Sequence, residues 1–141
     1  LLWIALFTAP FLVSHSWAYN APPDALNAVS SDFVIQSIEV SSSSVPSLLR
    51  YYGKKNGLSD TEVSQVLEVV RCESQFNPSA VNIHDSEKGS WGLAQINLSA
   101  HPNITKEQAL NKYYASWFIT SEFANNNEWK WTCFRNIYGV E

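Results

Sequence analysis

Ser59-Asp60-Thr61-Glu62-Val63-Ser64-Gln65-Val66-Leu67-Glu68-Val69-Val70-Arg71-Cys72-Glu73 is the stretch whose reading decides the fold. Ser59 followed by Glu62 has the capping-box pattern, in which each side chain accepts from a backbone N–H that a helix start leaves without a partner. Asp60 and Glu62 also place negative charge at the positive end of the helix dipole. Val63, Val66, Leu67 and Val70 then recur at i, i+3, i+4 and i+7, the spacing that gathers side chains on one helical face. Val69 and Cys72 widen that arc, so the pattern predicts a helix buried on more than one side. Glu73 falls at the edge of the apolar face. Asn77-Pro78 is expected to end the helix, because proline disfavours helical geometry in the residue before it.

An ionised carboxylate is badly placed at Glu73. Burial and the negative end of the helix dipole both disfavour its charged form. On these residues alone the plain reading, a helix-end acid in a salt bridge or in solvent, outweighs a catalytic one, since ordinary acids greatly outnumber catalytic ones.

Working outward, Pro46 suits a first helical turn. Leu48, Leu49, Tyr51 and Tyr52 continue it into a short apolar helix that ends near Gly57. Ala80 to Ser90 is polar and reads as a loop, and Trp91 to Asn97 is a short apolar segment entered through Gly92. Thr105-Lys106-Glu107-Gln108 repeats the capping-box pattern. It opens a helix with Ala109, Leu110, Tyr113, Trp117 and Phe118 on one side, which Asn125-Asn126-Asn127 breaks. Trp129 to Tyr138 reads as a last aromatic helix. The expected class is mainly α: a helical domain around a central buried helix ending at Glu73, with a small β element or irregular loop after it.

Residues 1–18 read as a signal peptide. Leu1 to Val13 is an uncharged apolar run too short to span a bilayer as an ordinary helix, and Ser16-Trp17-Ala18 offers small residues at a cleavage site. Residues 19–44 read as a flexible leader closing in the Ser41–Ser44 run, with a short apolar stretch from Asp32 to Val40. The folded domain is then 45–141. Export puts the protein in the periplasm or outside the cell, where Cys72 and Cys133 become a disulfide candidate; in the cytosol they would be two buried thiols. A bridge would close a loop of about sixty residues and contribute roughly 3–4 kcal/mol.

A net charge of −4 without any basic run argues against nucleic acid, whose phosphates call for clustered Lys and Arg. Six Trp, six Tyr and seven Phe supply ample material for a core, and aromatic faces without a basic surface suit an uncharged sugar ligand. His84 and His101 lack metal-ligand spacing and read as surface histidines, so neither a metal nor a cofactor is expected. Asn97-Leu98-Ser99 and Asn103-Ile104-Thr105 match the N-glycosylation sequon, a pattern short enough to arise by chance.

Glu-Ser-x-Phe-Asn-Pro-x-Ala-Val (Glu73 to Val81), followed by Gly-Leu-Ala-Gln-Ile (Gly92 to Ile96), resembles the soluble lytic transglycosylase (SLT-type) domain of the lysozyme-like superfamily. The similarity covers Val45 to Tyr138, and Cys72 resembles a small subgroup with a Cys beside the catalytic Glu. Such domains commonly end with Ala-Tyr-Asn-x-Gly. Here Thr132-Cys133-Phe134-Arg135-Asn136 stands in its place, a departure in the third substrate-positioning motif. The resemblance implies an α+β lysozyme-like fold and cleavage of the β-1,4 bond between N-acetylmuramic acid and N-acetylglucosamine in peptidoglycan. Glu73 would be the sole catalytic carboxylate, acid first and then base, leaving 1,6-anhydro ends.

Ser74, Trp91, Gln95, Asn97, Trp131 and Phe134 form the candidate substrate-binding set. Gln95 follows the family pattern of a cleft-facing Gln, with a bond to adjacent backbone as its plain reading. For Ser74 the plain reading is a hydrogen bond near the helix end. One of Trp91, Trp129 and Trp131 is expected in the groove and the others in the core. Hydrolytic glycosidases generally need a second carboxylate. Ser90 occupies the position where animal-type lysozymes often carry theirs, while Asp85 and Glu87 read as solvated loop charges. Transglycosylation is therefore favoured over a hydrolytic muramidase or a catalytically silent glycan-binding domain. The expected partners are peptidoglycan strands and, as a candidate, an envelope-spanning machine, with the protein itself a monomer.

Overall fold

The computed structural model describes residues 44–140. The expected signal peptide and the apolar stretch from Asp32 to Val40 lie outside the described residues, as does the leader except for Ser44. Helix α1 (Val45–Lys55) starts at Ser44, whose hydroxyl accepts from the Ser47 N–H, and it has Pro46 in its first turn. It buries Leu48, Leu49 and Tyr52.

Helix α2 (Asp60–Ser74) carries both halves of its capping box: the Ser59 N–H donates to Glu62 Oε2 at 2.7 Å, and the Glu62 N–H to Ser59 Oγ at 3.3 Å. Val66, Val69 and Val70 are fully buried, and Arg71 and Cys72 face outward. The helix stops at Ser74, earlier than Pro78 alone would dictate. Gln75 (φ 55°) and Phe76 (φ 62°) both adopt left-handed backbone, and the Gln75 N–H turns back to the Arg71 carbonyl at 3.0 Å. Two consecutive non-glycine residues in this region are uncommon, and no propensity rule signals them.

The chain then forms a three-stranded antiparallel sheet, β1 (Val81–Asn82), β2 (Ser90–Trp91) and β3 (Ile96–Asn97), in that order. Val81 pairs with Trp91, and Trp91 with Ile96. The turn joining β2 to β3 is Gly92 to Gln95, closed by the Gln95 N–H on the Gly92 carbonyl at 3.0 Å. Gly92 has φ +75°, and a Cβ there would sit 1.9 Å from the Ala109 carbonyl oxygen. Only glycine allows this turn to press against the following helix.

The single helix expected from Thr105 onward is two. Thr105 and Gln108 form the capping box of α3 (Lys106–Leu110), and Asn111 leaves helical geometry (φ −76°, ψ 114°) to cap α4 (Lys112–Ala124). The Asn111 side-chain oxygen accepts from the Tyr113 and Tyr114 N–H groups at 2.9 and 3.1 Å. An N-cap asparagine offers its carbonyl oxygen to the same N–H groups a helix start leaves open, and that competition splits the segment. Similarly, the expected helix from Trp129 to Tyr138 is a 3₁₀ turn (Glu128–Lys130) and α5 (Thr132–Tyr138), separated by Trp131 in extended backbone.

Helix α2 buries a broad face, packing on α1, α4 and α5. Helix α4 is buried still more completely, with Tyr114, Ala115, Phe118, Ile119 and Phe123 in the core beside the polar Ser116, Thr120 and Glu122. Phe118, Phe123, Trp131 and Phe134 join edge to face or tilted, so the C-terminal segment completes the core that α2 and α4 begin.

Candidate active site

Glu73 occupies the last turn of α2, half-buried, on a cleft of about 710 Å³ between the sheet and the C-terminal segment. Its Oε1 accepts the backbone N–H of Cys133 at 3.1 Å. Removal from water raises its pKa above the ordinary glutamate value, and the charge of Asp85 adds to the rise. The Cys133 N–H and the more distant Arg135 charge act in the opposite direction, and burial outweighs them. The group is thus poised to hold a proton and to give it up.

Cys72 and Cys133 form a disulfide with Cα atoms 6.0 Å apart. It ties the end of α2 to the start of α5, the same two places that meet in the Glu73–Cys133 hydrogen bond.

Gln95 and Asn97, from the β2–β3 turn and β3, line the cleft together with Trp131. Gln95 (φ 45°) holds left-handed backbone, and its side-chain amide donates to the Gly92 carbonyl at 2.9 Å. Trp131 is largely buried, and its indole N–H donates to the Ala94 carbonyl at 2.8 Å, fastening the C-terminal wall to the β2–β3 turn.

Three residues of the candidate set stand elsewhere. Ser74 is buried, and its hydroxyl reaches the carbonyls of Val70 at 3.1 Å and Leu93 at 2.7 Å; it locks the helix end to the turn and does not line the cleft. Trp91 donates its indole N–H to the Lys88 carbonyl at 2.8 Å, with the Lys106 ammonium 3.8 Å from its ring centroid, away from the cleft lining. Phe134 lies in the core against Phe123 and Tyr138. Burial accounts for Ser74 and Phe134, and the indole bond and the lysine for Trp91.

The cleft also contains residues outside the candidate set. Trp129 lines it and is 53% exposed, an aromatic face open to a ligand. Asp85 is the exposed loop charge expected, and it lines the cleft as well; its Oδ2 accepts from the Ser90 hydroxyl and from the Asn97 amide at 3.2 Å. Glu87 is exposed and not among the lining residues. Lys130 closes one side, its ammonium 2.6 Å from Glu122, a carboxylate that is only 2% exposed.

His101 is half-buried and lines the cleft, where a surface residue was expected. Its ring meets Phe118 edge-on at 5.1 Å. Burial lowers its pKa, against the pull of Glu122 and with the help of Lys130, and favours the neutral ring. Arg135 completes the wall, donating to the Trp129 carbonyl and to Thr132 Oγ1 at 3.0 Å. No local motif announces Asp85, Trp129 or Arg135; only the packing of the C-terminal segment and the β1–β2 loop around Glu73 brings them together.

No curated protein and no solved structure matches the chain. Residues 48–117 match the family model described as the transglycosylase SLT domain. The match takes in most of α1, all of α2, the sheet and α3, and the first part of α4, and with them Glu73, Asp85 and Gln95. Mostly helical with a small three-stranded sheet, the described residues are consistent with a lytic transglycosylase domain of the lysozyme-like superfamily.

Proposed function

We propose that this protein is a lytic transglycosylase that cleaves the β-1,4 bond between N-acetylmuramic acid and N-acetylglucosamine in peptidoglycan, with Glu73 as its acid and base. Peptidoglycan transglycosylase activity is the broad expectation for an SLT domain. The observation that carries the finer reading is Glu73 itself: a half-buried acid on a large cleft, with burial raising its pKa and one backbone N–H ready to receive its charge. Protonated Glu73 gives its proton to the glycosidic oxygen as the C1–O bond breaks. The resulting carboxylate takes the proton of the muramyl C6 hydroxyl as O6 bonds to C1, which closes the 1,6-anhydro ring and restores the acid. The cycle consumes no water and needs no metal or cofactor. Gln95, Asn97, Trp129 and Trp131 would line the bound glycan. The disulfide fits an exported protein acting in the cell envelope.

A second reading is favoured by Asp85. It lies on the same cleft as Glu73, oriented by Ser90 and Asn97, where a second carboxylate can act on water in a hydrolytic muramidase. Mass spectrometry of products from purified peptidoglycan separates the two: anhydro ends from the wild type support the first, reducing ends the second. Absence of both from protein that still binds strands leaves a silent glycan-binding domain. If Asp85→Asn abolishes reducing ends and spares anhydro ends, both chemistries run in one cleft.

A further inference from the structure

Peptidoglycan differs from a plain N-acetylglucosamine polymer at the lactyl arm of each muramyl residue and the peptide stem attached to it, both of which can carry carboxylates. Resting on the reading that this cleft takes peptidoglycan, we infer that Arg135 is its anion-recognition residue and engages a carboxylate of the muramyl side arm.

The cleft holds three groups that can be cationic, and two are already committed. The Lys130 ammonium is 2.6 Å from the buried Glu122 carboxylate. His101 favours its neutral form because it is partly withdrawn from water. Arg135 has no ion pair among the described residues, although it lines the same cleft. Its guanidinium is held in place by the Trp129 carbonyl and the Thr132 hydroxyl, both on the C-terminal wall. Two of its five N–H donors are used in this way, which leaves three to donate to a carboxylate. A guanidinium oriented beforehand loses little freedom when it binds an anion.

The carboxylates already in the cleft do not take this role. Asp85 is turned to Ser90 and Asn97, and Glu73 to the Cys133 N–H. Arg135 also influences Glu73 from a distance by stabilising its charged form. A substrate carboxylate on Arg135 would offset that influence, and so would help Glu73 keep its proton until the glycosidic oxygen receives it.

The test uses three forms of the same glycan strand: with peptide stems; stripped by an amidase, which frees the lactyl carboxylates; and stripped and then converted to carboxamides with carbodiimide and ammonia. Affinity is measured in a Glu73→Gln background and turnover with Glu73 intact, each with and without Arg135→Gln. Loss of one charge-assisted contact is expected to weaken binding about tenfold or more on a strand bearing the recognised carboxylate, with no change on the carboxamide strand. Loss confined to stem-bearing strands identifies a stem carboxylate, and loss on stripped strands identifies the lactyl one.

Arg135→Lys retains the charge without the fork, and is expected to keep part of the discrimination. An equal loss on all three strands would show a merely structural arginine and overturn the inference. So would an Arg135-intact protein that binds carboxylate and carboxamide strands alike, an outcome readable even if Arg135→Gln does not fold. Failure of the transglycosylase reading looks different: strands bind, and the protein with Glu73 intact releases no anhydro ends from any of them.

Discussion

The backbone N–H of Cys133 donates to Glu73 Oε1 at 3.1 Å, while the sulfur of Cys133 is bonded to Cys72, the neighbour of Glu73 in the chain. One residue of the C-terminal segment therefore grips the end of α2 twice, once covalently beside the acid and once at the acid itself. The hydrogen bond offsets part of the charge penalty that burial imposes on Glu73.

Removing the bridge should thus affect chemistry as well as stability. Cys72→Ser/Cys133→Ser is expected to lose roughly 3–4 kcal/mol of stability, the chain-entropy value for a loop of this length. With the α5 start free to move away, Glu73 loses the N–H that favours its charged form, and its pKa rises further. Denaturant titration reads the first effect. A pH–rate profile reads the second, as a shift of the Glu73 limb to higher pH; a limb that stays in place would show that the hydrogen bond survives without the disulfide.

Glu73→Gln is expected to lower turnover by about 10²–10⁴-fold, the usual span for general acid–base catalysis. Its stability should move the other way. A raised carboxyl pKa means that the folded protein binds more protons than the unfolded chain between the two pKa values. The Glu73 contribution to stability is therefore fully present below the ordinary glutamate value of about 4.3, and is lost as pH rises through the folded value. Glutamine carries no such dependence. Melting temperatures of the two proteins should diverge with rising pH, with the variant the more stable at neutrality; curves that stay parallel across that range would count against a perturbed Glu73.

At Gly92 the geometry leaves no room for any other residue. An alanine there would meet the Ala109 carbonyl oxygen at 1.9 Å while holding φ at +75°. Backbone strain and overpacking together should cost about 3 kcal/mol or more. Because the Gly92–Gln95 turn also receives Ser74 through the Leu93 carbonyl and Trp131 through the Ala94 carbonyl, both walls of the cleft should loosen. Chemical denaturation of Gly92→Ala against the wild type measures the cost, and a difference below 1 kcal/mol would mean that the turn relocates freely.

Lys130→Ala removes an ammonium from a carboxylate that is 2% exposed, and is expected to cost about 3 kcal/mol. Pairing it with Glu122→Gln should restore a large part of that stability, since the buried charge goes too. A double-mutant cycle in thermal unfolding gives the coupling, and simple additivity would show that Glu122 is served by its other surroundings.

Local rules made much of this fold legible. Both capping boxes, at Ser59/Glu62 and Thr105/Gln108, form as their side chains dictate, and the valine stripe of α2 is buried as its spacing requires. The split at Asn111 carried a local signal too, an N-cap residue inside an apolar pattern, but continuous helical spacing around it spoke more strongly. The stop of α2 at Gln75 had none, because neither Gln75 nor Phe76 favours left-handed backbone. Two-residue strands are too short to show a period.

For the site, Glu73 and Gln95 were visible because they sit in compact motifs on adjoining elements. Asp85, Trp129, Lys130 and Arg135 come from segments far apart in the chain, and their meeting is a product of tertiary packing. Ser74 makes the helix-end hydrogen bond of its plain reading, and Phe134 is turned into the core by its place on α5.

Residues 128–135 supply Trp129, Lys130, Trp131, Thr132 and Arg135 to the cleft, and all of them lie beyond the stretch that matches the family model. The acid and the wall it faces are thus written in separate parts of the gene. The wall can be treated as an interchangeable cassette, fastened at one seam by the Cys72–Cys133 bond and at another by Trp131 on Ala94. Replacing Trp129, Lys130, Thr132 and Arg135 around those fastenings, with Trp131 and Cys133 kept, would recut the wall and leave Glu73 where it stands.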